Sequence, residues 1–299
     1  MGLLDNRVAV VTGAGRGIGR EVALCLASEG AQVVVNDIGV GLDGRNGSSE
    51  REDPAAEVCE EIAAAGGKAV VSHDSVSDFA AAGRMIETAI DAFGQLDILV
   101  NNAGIVRDRS LVKMTEEDYD AVIAVHQKGT FNATRHAAPH MKDAGYGRIV
   151  NMTSSAGLRG NFGQTNYGAA KAAIMGMTFV WAVELGKYGI TVNGLAPAGT
   201  TRMTEGLYQG DEPPASEDPA LNAPMVAFLA SEGASFVNGQ ILGRTGYGYT
   251  LFQTPRQVAT MWQDGGWSPE EVALHFHEVL GQHLQPVGMP SHPLLGKRD

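Results

Sequence analysis

Short apolar segments rich in β-branched residues alternate with longer amphipathic segments along most of this chain. A short apolar run is typical of a strand buried on both faces, and apolar residues three and four positions apart are typical of a helix. The pattern predicts these strands: Val8–Val11, Gln32–Asn36, Lys68–Ser72, Leu96–Val100, Arg148–Met152, Ile190–Leu195 and Gly239–Leu242. It predicts these helices between them: Gly17–Glu29, Pro54–Ala65, Ser77–Phe93, Glu116–Met141, Thr165–Lys187 and Pro219–Ala230.

This alternation predicts an α/β protein with a doubly wound, seven-stranded parallel sheet of Rossmann type and helices on both faces. Residues 1–245 are predicted to form this domain. Residues 246–299 are predicted to form a helical extension, packed on the same domain or on a neighbouring subunit. Within the extension we predict short helices at Thr254–Met261 and Ser268–Leu280, the second because a serine precedes proline and glutamate as at a helix start.

Two irregular segments interrupt the alternation. Gly39–Asp53 follows the second strand and contains several glycines, so we expect a mobile loop there. Tyr208–Asp218 follows the sixth strand and contains two adjacent prolines, which places it where a lid over a substrate would lie. In a doubly wound sheet, ligands bind beyond the carboxyl ends of the strands. We therefore expect the chemistry of this chain in the residues that directly follow each strand.

The formal charge of −12 at pH 7 narrows the range of partners. It argues against nucleic acid and against anionic membranes. The sequence shows neither a signal peptide nor an apolar run of roughly 18 residues, which predicts a cytoplasmic protein that does not enter a membrane. Its two cysteines, Cys25 and Cys59, lack metal-ligand spacing. We expect both to be reduced thiols, and we expect no metal site.

A glycine-rich segment, Thr12–Gly19, separates the first strand from the first helix. Glycines at this crossing let the backbone approach a pyrophosphate, and the helix N-terminus offers N–H groups to its negative charge. The segment is therefore predicted to bind a dinucleotide. The residues assigned to this role are Gly13, Arg16, Gly17, Ile18 and Gly19.

The residue after the second strand bears on the choice of dinucleotide. A carboxylate there, Asp37, would accept hydrogen bonds from the ribose hydroxyls and repel a 2′-phosphate. Arg16 opposes this, since a basic residue in the glycine segment can pair with that phosphate. We expect Arg16 to turn toward solvent, and the predicted cofactor is NAD rather than NADP.

Tyr167 and Lys171 are four residues apart in one predicted helix and therefore share a face. A neighbouring ammonium group favours phenolate and lowers the tyrosine pKa, which is ordinarily about 10. Tyr167 then becomes usable as a general acid or base near neutral pH. Ser154 follows the fifth strand at the same sheet edge, where its hydroxyl can hold a substrate carbonyl or carbinol oxygen beside Tyr167.

These motifs resemble, in order and spacing, those of the short-chain dehydrogenase/reductase family, over roughly residues 5–245. The motifs that carry the resemblance are Thr12–Gly19, Asp74, Asn101–Gly104, Ser154, Tyr167–Lys171 and Asn193–Pro197. The resemblance implies that Ser154 positions the substrate oxygen and that Tyr167 exchanges its proton. It implies that Lys171 lowers the tyrosine pKa and holds the cofactor's ribose hydroxyls.

The remaining predicted cofactor residues follow other strands. The resemblance implies that Asp74 hydrogen-bonds the adenine and that Asn102 packs near the cofactor. Thr200 and Thr201 lie after the sixth strand, where they could hydrogen-bond a nicotinamide amide. The others predicted to contact the cofactor are Ser75, Ala103, Gly104, Pro197 and Gly199.

One position departs from the family. Most members carry an asparagine in the long helix after the fourth strand, where this chain has His126. The alignment predicts for His126 a catalytic role in a proton relay through water to Lys171, and the alternative is a structural histidine. An imidazole donates and accepts hydrogen bonds as an amide does, and it also titrates near neutral pH.

Five segments narrow the resemblance to one branch, the (3R)-hydroxyacyl-CoA dehydrogenase unit of peroxisomal multifunctional β-oxidation enzymes and their bacterial stand-alone relatives. The segments are Asn36–Gly39, Gly66–Val70, Asn102–Arg109, Gly160–Gln164 and Ala198–Thr204. The resemblance implies an NAD-dependent enzyme of lipid metabolism that interconverts a secondary alcohol and a ketone, with 3-hydroxyacyl-CoA thioesters as the favoured substrate.

Three other functions stay open: a hydroxysteroid dehydrogenase, a 3-oxoacyl carrier-protein reductase, and a cofactor-binding protein without catalysis. Arg107, Arg109 and Lys113 would either meet CoA phosphates or form a solvated turn. Members of the family pair through the two long helices, so the resemblance also implies a homodimer or homotetramer.

Overall fold

The computed structural model of the chain describes residues 2–45, 53–200, 212–253 and 255–288. Within them a single sheet runs in the order β3-β2-β1-β4-β5-β6-β7-β8. The strands are β1 (Val8–Thr12), β2 (Gln32–Asn36), β3 (Lys68–Ser72), β4 (Ile98–Asn101), β5 (Gly147–Met152), β6 (Ile190–Ala196), β7 (Ile241–Thr245) and β8 (Gly248–Phe252). Strands β1 to β7 pair in parallel, and β8 pairs antiparallel with β7 at the edge.

Helices cover both faces of this sheet. They are α1 (Gly17–Ser28), α2 (Pro54–Ala64), α3 (Phe79–Phe93), α4 (Glu116–Ile123), α5 (Gly129–Ala144), α6 (Ser155–Arg159), α7 (Thr165–Leu185), α8 (Ala223–Ala230) and α9 (Pro269–Val279). Helices α1, α2 and α8 enclose one apolar core with the sheet, and α3, α5 and α7 enclose a second core on the opposite face. The predicted doubly wound parallel sheet is therefore confirmed.

The central strands explain why the apolar pattern was informative. Every residue of β1, β4 and β5 is buried, as expected for strands packed on both sides. Strand β4 begins at Ile98, two residues after the predicted start. The preceding Asp97 instead accepts a hydrogen bond from the Val8 N–H at 2.8 Å and pairs with Arg7.

The C-terminal extension differs from its prediction in two ways. Its first residues form β8, which we did not predict, so the sheet has eight strands among the described residues. The predicted helix Thr254–Met261 is wrong: Thr254 lies outside the described residues, and residues 255–261 contain no helix. Helix α9 agrees with the predicted Ser268–Leu280, and a capping box between Ser268 and Glu271 starts it.

The predicted helix Glu116–Met141 is helical throughout but includes a change of helix type. A π-helical turn, Ala124–Lys128, separates α4 from α5. Single π-turns inside helices are often found at functional sites, and this one carries His126.

Helix α7 and the turn after it, Thr165–Tyr188, are long and apolar enough to span a membrane by length and composition alone. In the structure this helix packs against β5 and β6. Its outward side exposes Val180 and Val183. Packing on the sheet accounts for the apolar residues of one side of the helix, and the exposed valines form an apolar surface on the other.

The two irregular segments are described in part. Residues 46–52 and 201–211 lie outside the described residues, so a lid at Tyr208–Asp218 stays a prediction. Residues 39–45 are held in place: Val106 N–H donates to Leu42 O at 3.0 Å, and the Arg107 guanidinium donates to Asp43 O at 2.7 Å. This part of the predicted mobile loop is tied to the chain that follows β4.

Candidate active site

A cavity of about 520 Å³ opens at the carboxyl ends of the strands, as the architecture predicts. The predicted site residues that line it are Gly13, Arg16, Gly17, Ile18, Gly19, Asp37, Asp74, Ser75, Asn102, Ala103, Gly104, His126, Tyr167, Lys171 and Pro197. Ser154, Gly199 and Thr200 lie beside this lining rather than in it. Thr201 lies outside the described residues.

The glycine segment packs too closely for larger residues. A Cβ on Gly13 would lie 2.8 Å from Ala103 Cα, and one on Gly19 would lie 2.2 Å from the Gly13 carbonyl oxygen. The Asn102 side-chain amide also fixes the segment, because it donates hydrogen bonds to Thr12 O at 2.9 Å and to Gly13 O at 3.0 Å. In the described part of the chain, the N-cap residue of α1 makes no side-chain capping hydrogen bond. The arrangement fits a pyrophosphate bound by backbone N–H groups.

Two carboxylates lie farther along the cavity wall. Asp37 accepts hydrogen bonds from the Gly15 N–H at 3.0 Å and the Gly39 N–H at 2.8 Å, which fixes its carboxylate at the end of β2. Asp74 is paired with Arg84, with 2.8 Å between Arg84 Nη2 and Asp74 Oδ1. The ribose and adenine roles predicted for these two residues stay predictions.

The three residues expected to carry the chemistry are brought together. The Ser154 hydroxyl lies close enough to the Tyr167 hydroxyl to lower its pKa, and the Lys171 ammonium lies 5.6 Å from the centre of the tyrosine ring. Lys171 also donates to the Met152 carbonyl oxygen at 2.6 Å. Ser154 is held in turn, because its hydroxyl caps α6 by accepting from the Ala156 N–H at 3.1 Å. A substrate oxygen at this point would meet a serine hydroxyl and a phenol together.

The expected effect of Lys171 on Tyr167 is not found. Burial raises the pKa of the Tyr167 hydroxyl, the hydrogen bond with Ser154 lowers it in part, and the Asp108 carboxylate raises it again. Burial also lowers the pKa of Lys171 to about 7. The spacing argument omitted desolvation, which disfavours the charged form of both groups.

His126 is buried beside this group. Its ring meets the Tyr167 ring edge-on, with the centroids 5.2 Å apart, and its Nε2 lies 2.8 Å from Ile105 O and 3.0 Å from Ile105 N. One nitrogen can serve only one of these two groups, whereas an amide could serve both. Burial, and next the charge of Lys171, lowers the pKa of His126 to about 3, so the ring is neutral. The relay role stays a prediction.

The fit of His126 depends on its neighbour. A Cβ on Gly104 would lie 2.3 Å from the imidazole Cε1, so only glycine leaves room for the ring. The other ring nitrogen, Nδ1, is buried and has no hydrogen-bond partner among the described residues. The predicted relay would need a water at this nitrogen.

Past β6, a buried polar atom lies beside the cavity lining. Thr200 Oγ1 is buried and unbonded among the described residues, and the Thr200 N–H donates to Glu217 O at 2.6 Å. A buried hydroxyl without a partner is unfavourable. The carboxamide of a nicotinamide ring would satisfy it, so the residues present fit that group.

Arg107 has contacts that the sequence did not predict, and two further residues that shape the site were overlooked. Arg107 was considered for CoA phosphates, but its guanidinium donates to Asp43 O and to the Glu117 carboxylate at 3.0 Å, and its side chain is largely buried. Arg109 and Lys113 are exposed. Arg244 and Asn222 were also overlooked, because nothing in their local sequence indicates that they meet the chain after β6.

Doubly wound sheets hold hydride-carrying dinucleotides in such a cavity, and together with the Ser154–Tyr167–Lys171 group this defines a nicotinamide-dependent oxidoreductase. The family model for short chain dehydrogenases matches residues 7–212. The chain belongs to this family, whose members use NAD or NADP.

Particular relatives agree with the branch predicted from the sequence. Peroxisomal multifunctional enzyme type 2 of Drosophila melanogaster is 47% identical over 247 residues, which cover 83% of this chain but only 40% of the fly enzyme. Hydroxyacyl-CoA dehydrogenase ChsB1 of Mycobacterium tuberculosis is 41% identical over 289 residues, covering 90% of this chain and 87% of that protein. A crystal structure of a short chain dehydrogenase from Mycobacterium avium superimposes with a TM-score of 0.86 at 44% identity, covering 97% of this chain and 100% of the other.

Proposed function

We propose that this protein is an NAD-dependent dehydrogenase that interconverts a 3-hydroxyacyl-CoA thioester and its 3-oxo form. The placement of the Ser154 and Tyr167 hydroxyls next to each other, beside Lys171 at the dinucleotide cavity, carries the assignment of the reaction. The thioester substrate is supported by the relatives named as hydroxyacyl-CoA dehydrogenase and as peroxisomal multifunctional enzyme.

In the oxidation, the Ser154 hydroxyl orients the substrate oxygen toward Tyr167, and the phenolate form of Tyr167 takes the hydroxyl proton and becomes the phenol. In the reduction, the same phenol returns the proton. A nicotinamide ring, when bound, would accept or donate hydride at its C4. Lys171, held by Met152 O, is placed to stabilise the phenolate when its ammonium form is present, because opposite charges favour each other in a buried site.

The choice of NAD rests on Asp37. Its carboxylate is fixed by two backbone N–H groups in the cavity wall, where we expect the ribose. A 2′-phosphate there would bring a second negative charge against a carboxylate that cannot move away. We expect a higher kcat/KM with NAD than with NADP, and equal values for the two cofactors would contradict this choice.

A panel of substrates tests the reaction. Purified protein is assayed for NADH formation with 3-hydroxyacyl-CoA esters of increasing chain length, with free hydroxysteroids, and in reverse with a 3-oxoacyl carrier-protein thioester. We expect the highest kcat/KM with a CoA ester. A preference for the free steroid or for the carrier-protein thioester would select one of the two alternative functions, and no turnover with any of them would favour a non-catalytic cofactor-binding protein.

We also propose that the chain forms a homodimer or homotetramer. The outward side of α5 and α7 carries exposed apolar residues: Phe131, Val180 and Val183. Apolar side chains grouped on an exposed face are typical of a protein interface when they form a contiguous patch.

A further inference from the structure

A buried arginine on β7, Arg244, is engaged by backbone rather than by acid groups. Its side chain is only 4% exposed, and no carboxylate of the described residues pairs with it. The guanidinium instead donates to three backbone carbonyls, those of Ala198, Ser216 and Gly246. A buried cation is retained only when its donors are satisfied, and here peptide groups from separate parts of the chain satisfy it.

The side chain of Asn222 binds both to Arg244 and to the backbone of Ala198. Its amide donates to Ala198 O at 2.7 Å and to Pro219 O at 2.9 Å. Its carbonyl oxygen accepts from the Ala198 N–H and from Arg244 Nε, each at 3.2 Å. The peptide groups of Ala198 are therefore held at both their N–H and their C=O.

Ala198 lies in the stretch of chain that borders the nicotinamide end of the cavity. Pro197, directly before it, lines the cavity. Thr200, two residues after it, has a buried hydroxyl without a hydrogen-bond partner in the described part of the chain, and its N–H donates to Glu217 O. Any shift of the Ala198 peptide would move both the cavity wall and this hydroxyl.

We propose that Arg244 is a positioning residue for the cofactor. Together with Asn222 and the Ala198 peptide it forms a clamp, which fixes Pro197–Thr200 against the nicotinamide half of the dinucleotide. The inference rests on the proposed function in that a nicotinamide dinucleotide occupies this cavity. Arginine suits the position because its planar fork directs five donors at several acceptors at once, whereas a lysine ammonium has three donors on one atom.

The test compares two ligands that differ only at the nicotinamide. ADP-ribose contains the adenosine, the pyrophosphate and the second ribose of NADH but lacks the nicotinamide ring. Dissociation constants for both are measured by calorimetry on wild-type protein and on Arg244→Lys. We expect the lysine variant to bind NADH about ten-fold more weakly, with ADP-ribose binding changed less than about two-fold, because only the nicotinamide contacts depend on the clamp.

Arg148 offers a matched control. It is also a buried arginine, and it donates to the carbonyls of Gly147, Gly189 and Ser231 at the opposite end of the sheet from the cavity. Arg148→Lys should lower the melting temperature without changing the ratio of the two dissociation constants. If Arg244→Lys does not fold, Arg244→Gln, which keeps one amide donor, provides the same comparison.

The outcomes separate the clamp from the proposed function. Arg244 variants that bind NADH as tightly as wild type would overturn the positioning role. So would variants whose affinities for NADH and for ADP-ribose fall by the same factor. Wild-type protein that binds neither ligand would instead overturn the proposed cofactor itself.

Discussion

Tyr167 is the residue on which the proposed chemistry depends most directly. Replacing it with phenylalanine removes only the hydroxyl that exchanges the proton. We expect Tyr167→Phe to keep dinucleotide binding and to lower kcat by about 10²–10⁴, the usual contribution of a positioned general acid or base. Tyr188→Phe is the matched control, since Tyr188 follows the same helix but does not line the cavity. Wild-type turnover in Tyr167→Phe, measured with the best substrate of the panel, would contradict the assignment.

His126 makes a prediction about acid stability. The His126 pKa is lowered from 6.5 to about 3 in the folded protein. Between these two pH values His126 is protonated in the unfolded chain but neutral in the folded chain. The free energy of unfolding should therefore fall as the pH drops from about 6.5 toward 3, by a few kcal/mol in total at about 1.4 kcal/mol per pKa unit.

His126→Asn removes this titration, so the variant should lose less stability than wild type between pH 7 and pH 4. Its stability at pH 7 should be lower than that of wild type, because the smaller side chain creates a cavity where the ring was. Urea unfolding at several pH values measures both. His277→Asn, at an exposed position of α9, provides the same substitution away from the site as a control. An identical pH dependence in wild type and His126→Asn would show that the imidazole takes up its proton at an ordinary pKa.

At the scale of the elements, the sequence pattern identified each parallel strand, because buried strands such as β1 are continuously apolar. The unpredicted strand β8 is an edge strand whose residues are mostly exposed, so it lacks that signal. The sequence does contain a hairpin signal, the glycine at position 246. In the structure Gly246 has a φ of 56° and begins a two-residue turn between β7 and β8. The π-turn at His126 was not predicted, because its residues have the same apolar and polar pattern as an ordinary helix.

The segment Val40–Arg45 gives a prediction at this scale. Several of its residues line the cavity, and Arg107 ties it to α4 by donating to Asp43 O and to Glu117. Arg107→Gln should loosen the segment and weaken NADH binding by about three- to ten-fold, as expected for losing one or two part-buried hydrogen bonds. Because the catalytic residues lie elsewhere, kcat should change little.

Arg45→Gln provides the control for that measurement. Arg45 faces the same Glu117 at 3.4 Å, but both side chains are mostly exposed, and exposed ion pairs contribute little. NADH affinity should stay near the wild-type value in Arg45→Gln. A loss of affinity that is equal in the two variants would indicate a general charge effect instead of a tether by Arg107.

At the scale of the whole molecule, the parallel sheet explains why motifs far apart in sequence could be assigned to one site. The carboxyl ends of β1, β4, β5 and β6 meet at one edge, so residues after them converge whatever their separation. The pKa values of Tyr167 and Lys171 and the clamp of Arg244 did not follow from this rule. They depend on burial and on contacts between side chain and backbone, which strand order does not specify.

The assembly provides the last prediction. Val183 is 82% exposed on the outer side of α7, and an exposed valine of a monomer tolerates a charge with little change in stability. If α7 pairs with a second copy, Val183→Asp would bury an unpaired carboxylate and weaken association strongly. Val112, which is 90% exposed in the short turn after β4, provides the control as Val112→Asp. Light scattering after size-exclusion chromatography should show the wild-type mass for Val112→Asp and a smaller mass for Val183→Asp. An unchanged mass in both would place the subunit interface on another surface.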